Sequence, residues 1–180
     1  MTDWHIAEIR TTPSLELFSG LVELLQDAVA SGASVGFLAP LSTKDARNYW
    51  AEALEEVGQG VRVILIATAN HDVAGCVQLL LASTPNARHR AQVQKLLVHQ
   101  RARRHGLGRK LLDSIEKMAV AKGRSLLVAD TPTGGGGELL YASTGYTKVG
   151  AVPRYLRGPD GHFHPTTIFY RELGGRATEM

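Results

Sequence analysis

Apolar residues recur three and four positions apart from Leu15 onward, at Phe18, Leu21, Val22, Leu25, Ala28 and Val29. That spacing is one face of an α-helix. Pro13 and Ser14 mark its start and Gly32 its stop, so a helix is expected over about residues 15–31. A weakly alternating stretch at residues 6–10 precedes it as a first strand. A second helix is expected after Ser42 or Thr43 as N-cap, running through Trp50 and Leu54 to Val57 and ending before Gly58 and Gly60. The segment between them, Gly32–Leu41, reads as a loop, yet it carries Val35, Phe37, Leu38 and Leu41 together, which a solvent loop rarely does.

The period then changes. Val61–Ala69 and Val73–Ser83 are β-branched, apolar runs joined by Asn70, His71 and Asp72, a hairpin pattern. Pro85 and Asn86 break the chain before a third run, Ala91–Val98. After Gly106 and Gly108 comes a helix with Leu107, Leu111, Leu112, Ile115, Met118 and Ala119 on its apolar face. Gly123 ends it. Leu126–Asp130 reads as a strand, Gly134–Gly137 as a flexible loop and Glu138–Thr144 as a short helix. Tyr146–Val152 and Thr166–Leu173 are the closing strands, with a Gly/Pro-rich connection from Pro153 to Pro165 between them. Early strands in succession, followed by alternation with helices, imply a mixed α/β sheet rather than a regular doubly wound parallel one. One domain over residues 1–173 is expected, with 174–180 a loose tail.

Composition narrows the class. A chain of 180 residues, 44% hydrophobic and 21% charged, can bury a core without staples. The single cysteine, Cys76, excludes an internal disulfide framework and a four-cysteine zinc site. His162 and His164 alone fall short of a zinc site's ligand count, so no metal is expected. Asp3, Glu8 and Arg10 interrupt any apolar leader, and no window approaches 18 apolar residues, which predicts a soluble, cytoplasmic protein without a membrane partner. The net charge of +3 hides an uneven layout. Residues 1–60 hold three basic and nine acidic side chains, whereas residues 88–110 hold eight basic ones and no acid.

That basic stretch contains Arg103-Arg104-His105-Gly106-Leu107-Gly108, set between a strand and an amphipathic helix. Glycines there let the backbone approach a ligand, and the unpaired N–H groups of a helix start favour an anion such as a diphosphate. The same hexapeptide also fits a loop that needs glycines to turn and arginines to stay soluble. A dinucleotide fingerprint fails because Leu111 stands where its third glycine belongs, and no Lys-Ser or Lys-Thr follows for a P-loop. The segment resembles the Gln/Arg-x-x-Gly-x-Gly/Ala signature of the GNAT superfamily of acetyl-CoA-dependent N-acetyltransferases. Val93–Val98 resembles that family's fourth strand and Leu139–Gly150 its late helix-to-strand motif. Within the family, Gly32–Phe37 and Pro159–Thr166 resemble segments of the tabtoxin-resistance acetyltransferases.

The resemblance implies a single-domain α/β fold: a mixed, mostly antiparallel sheet of six to seven strands, splayed between the fourth and fifth and flanked by about four helices. It implies acetyl-CoA as cosubstrate, with the backbone of Leu96, Leu97 and Val98 holding the pantetheine arm and the N–H of Val98 facing the developing oxyanion. Arg103, Arg104, His105, Gly106, Leu107, Gly108 and Arg109 would hold the diphosphate. Tyr141 matches the family tyrosine that donates a proton to the departing thiolate, whereas without the resemblance it reads rather as a core aromatic with its hydroxyl satisfied. Positions 92 and 94 are Gln92 and Gln94, where many members carry a glutamate, so Asp130 is the nearest candidate base, or else a strand-end cap before Pro132.

The expected activity is transfer of acetyl from acetyl-CoA to a primary amine of a small molecule, a toxin or antibiotic among the candidates, by direct attack in a ternary complex. The acidic first 60 residues suggest a cationic acceptor, and the apolar loop Gly32–Leu41 an acceptor-pocket wall or a dimer contact, in a monomer or homodimer. Two other readings stand beside it. A non-catalytic acyl-CoA sensor would account for the missing strand glutamates. A nucleic-acid module would use residues 88–110, but that stretch has no Phe, Tyr or Trp to stack on a base.

Overall fold

The computed structural model describes residues 3–158 and 160–174; Pro159 and the tail from residue 175 lie outside them. Among the described residues, four α-helices and seven strands follow one another as β1 (His5–Glu8), α1 (Leu15–Ala30), α2 (Thr43–Gly58), β2 (Arg62–Ala69), β3 (Asp72–Leu81), β4 (Arg90–Val98), α3 (Leu107–Ala121), β5 (Leu126–Pro132), α4 (Gly136–Ser143), β6 (Thr147–Arg157) and β7 (Phe163–Glu172). Both early helices begin on a serine cap: Ser14 accepts from the Leu17 N–H and Ser42, not Thr43, from the Asp45 N–H.

The strands form one sheet in the order β1-β2-β3-β4-β5-β7-β6, antiparallel throughout except for β4 against β5. On one face α1 and α2 bury Leu21, Leu24, Leu25 and Trp50 against Ile64, Ile66 and Cys76. On the other, α3 sets Leu107, Leu111, Leu112 and Ile115 against Val63, Leu65, Val77 and Leu79, and Tyr141 of α4 joins that core. β2 and β3 alternate between the two cores, which is why they read as unbroken apolar runs.

Two expected boundaries move. β6 runs through Pro153 to Arg157 and β7 starts at Phe163, so the expected connection shrinks to a short turn in which Gly158 donates to the His162 carbonyl. Pro153 sits on the edge strand of the sheet, where the register slips between Val152 and Leu156, and so costs no ladder bond. Likewise α4 begins at Gly136, so half of the glycine run is helix. Gly137 packs against β5 so closely that a Cβ there would overlap the Thr131 hydroxyl.

One local feature shapes the site. Gln94 faces Gln78 and Leu97 faces Cys76, so β4 places Lys95 and Leu96 opposite Val77 alone. This β-bulge holds Lys95 at a φ of 46°, left-handed for a residue with a side chain. Pairing of β4 with β5 ends at Val93 and Ala129, although β4 continues to Val98 and β5 to Pro132. Beyond the bulge the two strands splay.

Candidate active site

The splay opens into three cavities with shared walls. A cleft of about 640 Å³ runs from Leu96 and Val98 to the start of α3, bounded by Ala28 and Ser31–Val35 on one side and Gly135–Gly137 on the other. A central cavity of about 300 Å³ is lined by Gln92, Gln94, Lys95, Asp130, Thr131 and Tyr141. A lateral cavity of about 450 Å³ lies between the apolar loop, with Phe37 and Leu38, and the β6–β7 turn, with Leu156, Asp160 and His164.

The helix start at the cleft is open. Gly106 enters α3 with a φ of 79° and no side chain caps the helix. The first intrahelical bond runs from the Lys110 N–H to the Gly106 carbonyl, so the N–H groups of Leu107, Gly108 and Arg109 lack helical acceptors. They give this end of the cleft a partial positive charge. A Cβ on Gly108 would lie 3.1 Å from Leu140, a second reason for glycine there. The four basic side chains of the loop are not equivalent. Arg103 ties the loop down, its Nε donating to the Val98 carbonyl at 2.9 Å and a terminal nitrogen to Ser31 Oγ at 2.6 Å. Arg109 donates to the carbonyl and hydroxyl of Ser143, pinning α4 to α3. His105 contacts the Arg103 carbonyl and does not line the cleft. Arg104, at a φ of 66°, lines the cleft and makes no hydrogen bond or ion pair among the described residues.

The main chain of β4 divides in the same way. In an antiparallel ladder, successive residues turn their N–H and C=O groups to opposite sides. The His99 N–H bonds to the Ala74 carbonyl at 2.9 Å, so Leu97, opposite Cys76, also turns its groups toward β3. Leu96 and Val98 turn theirs into the gap. The Val98 carbonyl is taken by Arg103, which leaves its N–H toward the cleft. Leu97 instead buries its side chain in the α1/α2 core.

In the central cavity Tyr141 is 4% exposed, its ring edge-on to Tyr146 and tilted against Phe169. Its hydroxyl has no hydrogen-bond partner among the described residues and opens on the cavity. Burial, and then the nearby Asp130 carboxylate, push its pKa far above that of free tyrosine, so it keeps its proton throughout the neutral range. Asp130 lies across from it and accepts a hydrogen bond from Gln92 Nε2 at 3.2 Å. Gln94 belongs to a separate network: one Arg62 nitrogen donates to Gln94 Oε1 and to the fully buried Gln78, which also accepts from Tyr49, and Arg62 Nε pairs with Glu56.

Other sequence candidates fall elsewhere. Cys76 is fully buried, and burial pushes its thiol pKa up to about 12. At pH 8 a thiol-alkylating reagent is therefore expected to leave it unmodified in the folded protein and to label it fully on unfolding, as read by mass spectrometry. His164 Nε2 sits 3.1 Å from both Asp160 oxygens at the lateral cavity, while His162 is exposed in the turn. The carboxylates of residues 1–60 line none of these three cavities. Asp27 accepts from the main chain and side chain of Gln100, Glu23 neighbours His99 and Arg101, and Glu56 pairs with Arg62. Glu23 and Asp27 thus lie against His99, Arg101 and Arg103 of the protein's own basic stretch, and the expectation that the acidic third faces a cationic acceptor loses its basis. No helix among the described residues is long and apolar enough to cross a membrane.

The sheet parted at its one parallel pair, with an uncapped helix start beyond the parting, is the GNAT fold. Residues 60–148 match the family model described as an acetyltransferase (GNAT) domain. An uncharacterised N-acetyltransferase of the hisH–hisA intergenic region in Azospirillum brasilense is 30% identical over 132 residues, 72% of this chain and 76% of that one. An N-acetyltransferase from Staphylococcus aureus Mu50 shares the fold at a TM-score of 0.78 and 17% identity, covering 94% of this chain and 99% of that one. The putative acetyltransferase yncA of Salmonella typhimurium, solved with its cofactor acetyl-CoA, does so at 0.75 and 21%, covering 96% of each. The chain belongs to the GNAT acetyltransferase family.

Proposed function

We propose that the protein transfers acetyl from acetyl-CoA to a primary amine of a small molecule by direct attack in a ternary complex. The observation that carries this is the alignment, along two cavities with shared walls, of an uncapped helix start, outward-turned main chain on a splayed strand and a buried phenol without a partner among the described residues. The N–H groups of Leu107, Gly108 and Arg109, with Arg104, suit a diphosphate. Leu96 and Val98 offer the strand pairing that a pantetheine amide needs, and the Val98 N–H can donate to an oxyanion. Asp130 receives the ammonium proton, directly or through water. The amine nitrogen then bonds to the acetyl carbon, the carbon–sulfur bond breaks, the sulfur takes the Tyr141 proton, and the second proton leaving the nitrogen restores the phenol through water. The narrower resemblance to tabtoxin-resistance acetyltransferases supports a toxin or antibiotic as acceptor.

The test is thiol release from acetyl-CoA against an amine panel, with the acetylated product identified by mass. Absence of acetyl-CoA binding overturns the reading. Two variants report on parts of the site. Arg104→Ala is expected to weaken acetyl-CoA binding about tenfold by titration calorimetry, with a smaller loss at high salt. Asp130→Asn is expected to lower kcat by about 10²- to 10⁴-fold with the acetyl-CoA affinity unchanged, since an amide accepts no proton from the ammonium. Unchanged turnover assigns the base elsewhere.

A further inference from the structure

Lys95 is the cavity residue that the acetyl-transfer scheme does not use. The bulge holds it at a left-handed φ of 46°, a conformation that a lysine adopts only under constraint, and this turns its side chain into the central cavity. Its ammonium lies 5.2 Å from the Tyr49 ring centre and beneath Gly36, where a Cβ would come within 3.7 Å of it. Among the described residues it makes no hydrogen bond and no ion pair. Its neighbour Arg62 is fully engaged with Glu56, Gln78 and Gln94 and adds repulsion. A cation withdrawn from water without a counter-ion is costly, and an anion from a ligand removes that cost.

On another wall of the same cavity stands Asp130, whose one partner among the described residues is Gln92. Lys95 and Asp130 form no ion pair with each other. Two opposite charges, held apart in a cavity of about 300 Å³ between the apolar Val35, Leu96 and Leu156, complement a molecule that carries both signs. That volume is about ten waters' worth, enough for an amino-acid-sized ligand.

Building on the acetyltransferase reading above, we propose that the acceptor is a zwitterion: an amine with a carboxylate or phosphonate a few bonds from its nitrogen, the anion bound by Lys95 and the ammonium set on Asp130. Lys95 is then a specificity-determining residue, and the ammonium arrives on the group that takes its proton. Burial, and then Arg62, lower the Lys95 pKa, a bias that a bound anion reverses.

The experiment compares each common amino acid with its own carboxamide, and aminoalkylphosphonates with the parent amines, by thiol release from acetyl-CoA. The wild type is expected to favour the acid by about ten- to hundredfold in kcat/KM, mostly through KM. Lys95→Met is expected to erase that preference while binding acetyl-CoA as before, and Lys95→Arg to restore part of it. Amides accepted as well as acids, or a preference that survives Lys95→Met, overturns the proposal. A readout independent of turnover and of the variants is NMR of the lysine side chains in the CoA-bound wild type. N-acetyl amino acids are expected to shift the Lys95 signal and raise its titration midpoint, and N-acetyl amino acid amides to leave it in place. If that response occurs and no amine releases thiol, the acceptor site stands and acetyl transfer fails; if Lys95 ignores the acids, the acceptor site fails.

Discussion

Tyr141→Phe is expected to lower kcat by about 10²- to 10³-fold while leaving the fold and the acetyl-CoA affinity unchanged, the magnitude of a lost general acid. The substitution is clean because of how Tyr141 is packed. Its ring fills space against Tyr146 and Phe169, which phenylalanine fills equally, and its hydroxyl has no protein partner to lose. A structural tyrosine in the same place would predict full activity. Because burial and Asp130 raise the phenol above the ordinary value of 10.0, it stays protonated beyond that pH, and any alkaline fall in kcat below it comes from another group. The same shift means that ionising the phenol is penalised only in the folded state, so Tyr141 costs stability only above about pH 10. The variant is therefore expected to resist alkaline unfolding slightly better than the wild type. Equal turnover in the two proteins removes Tyr141 from the chemistry.

Gly137→Ala is the second large effect, and its sign opposes helix propensity. Alanine inside a helix is ordinarily favoured over glycine by about 1 kcal/mol. Here the added Cβ would overlap Thr131 Oγ1, on a side chain that is short, branched and 9% exposed. Relief requires α4 to move off β5, and overpacking of this kind costs about 1–3 kcal/mol. Since α4 carries Tyr141 four residues further on, turnover is expected to fall along with Tm. Thr131→Ala in the same chain removes the clashing atom and should recover most of both losses, a coupling that a double-mutant cycle measures directly. A Gly137→Ala protein as stable as the wild type contradicts the close approach of α4 to β5.

The parts of this fold legible in the sequence are those governed by local rules. Three- and four-residue spacing located α1, α2 and α3, serines and glycines set their ends, and unbroken apolar runs marked β2 and β3. Pro153 misled because a proline normally ends a strand, whereas an edge strand with a slipped register accommodates it. The glycine run misled because its role is contact with Thr131, a neighbour distant in sequence. At the site, Gly106, Gly108 and Tyr141 were legible through a motif, whereas the division of labour among the arginines was not. Whether Arg103 meets a ligand or Ser31 and Val98 depends on where α1 ends in space. The charge layout is the clearest case: the acidic third and the basic stretch looked like two ligand surfaces, and in the fold Glu23 and Asp27 lie against His99, Arg101 and Arg103. Lys95 went unread because it takes its meaning from a bulge that only the pairing of β3 with β4 reveals.

In the mechanism we propose, the splay between β4 and β5 holds acetyl-CoA with its thioester at Tyr141. The most direct measurement is a crystal structure of the protein with CoA. The diphosphate is expected on the N–H groups at the start of α3 beside Arg104, the pantetheine paired with Leu96 and Val98, and the sulfur within hydrogen-bond reach of the Tyr141 hydroxyl. CoA bound elsewhere, or a sulfur remote from Tyr141, contradicts it.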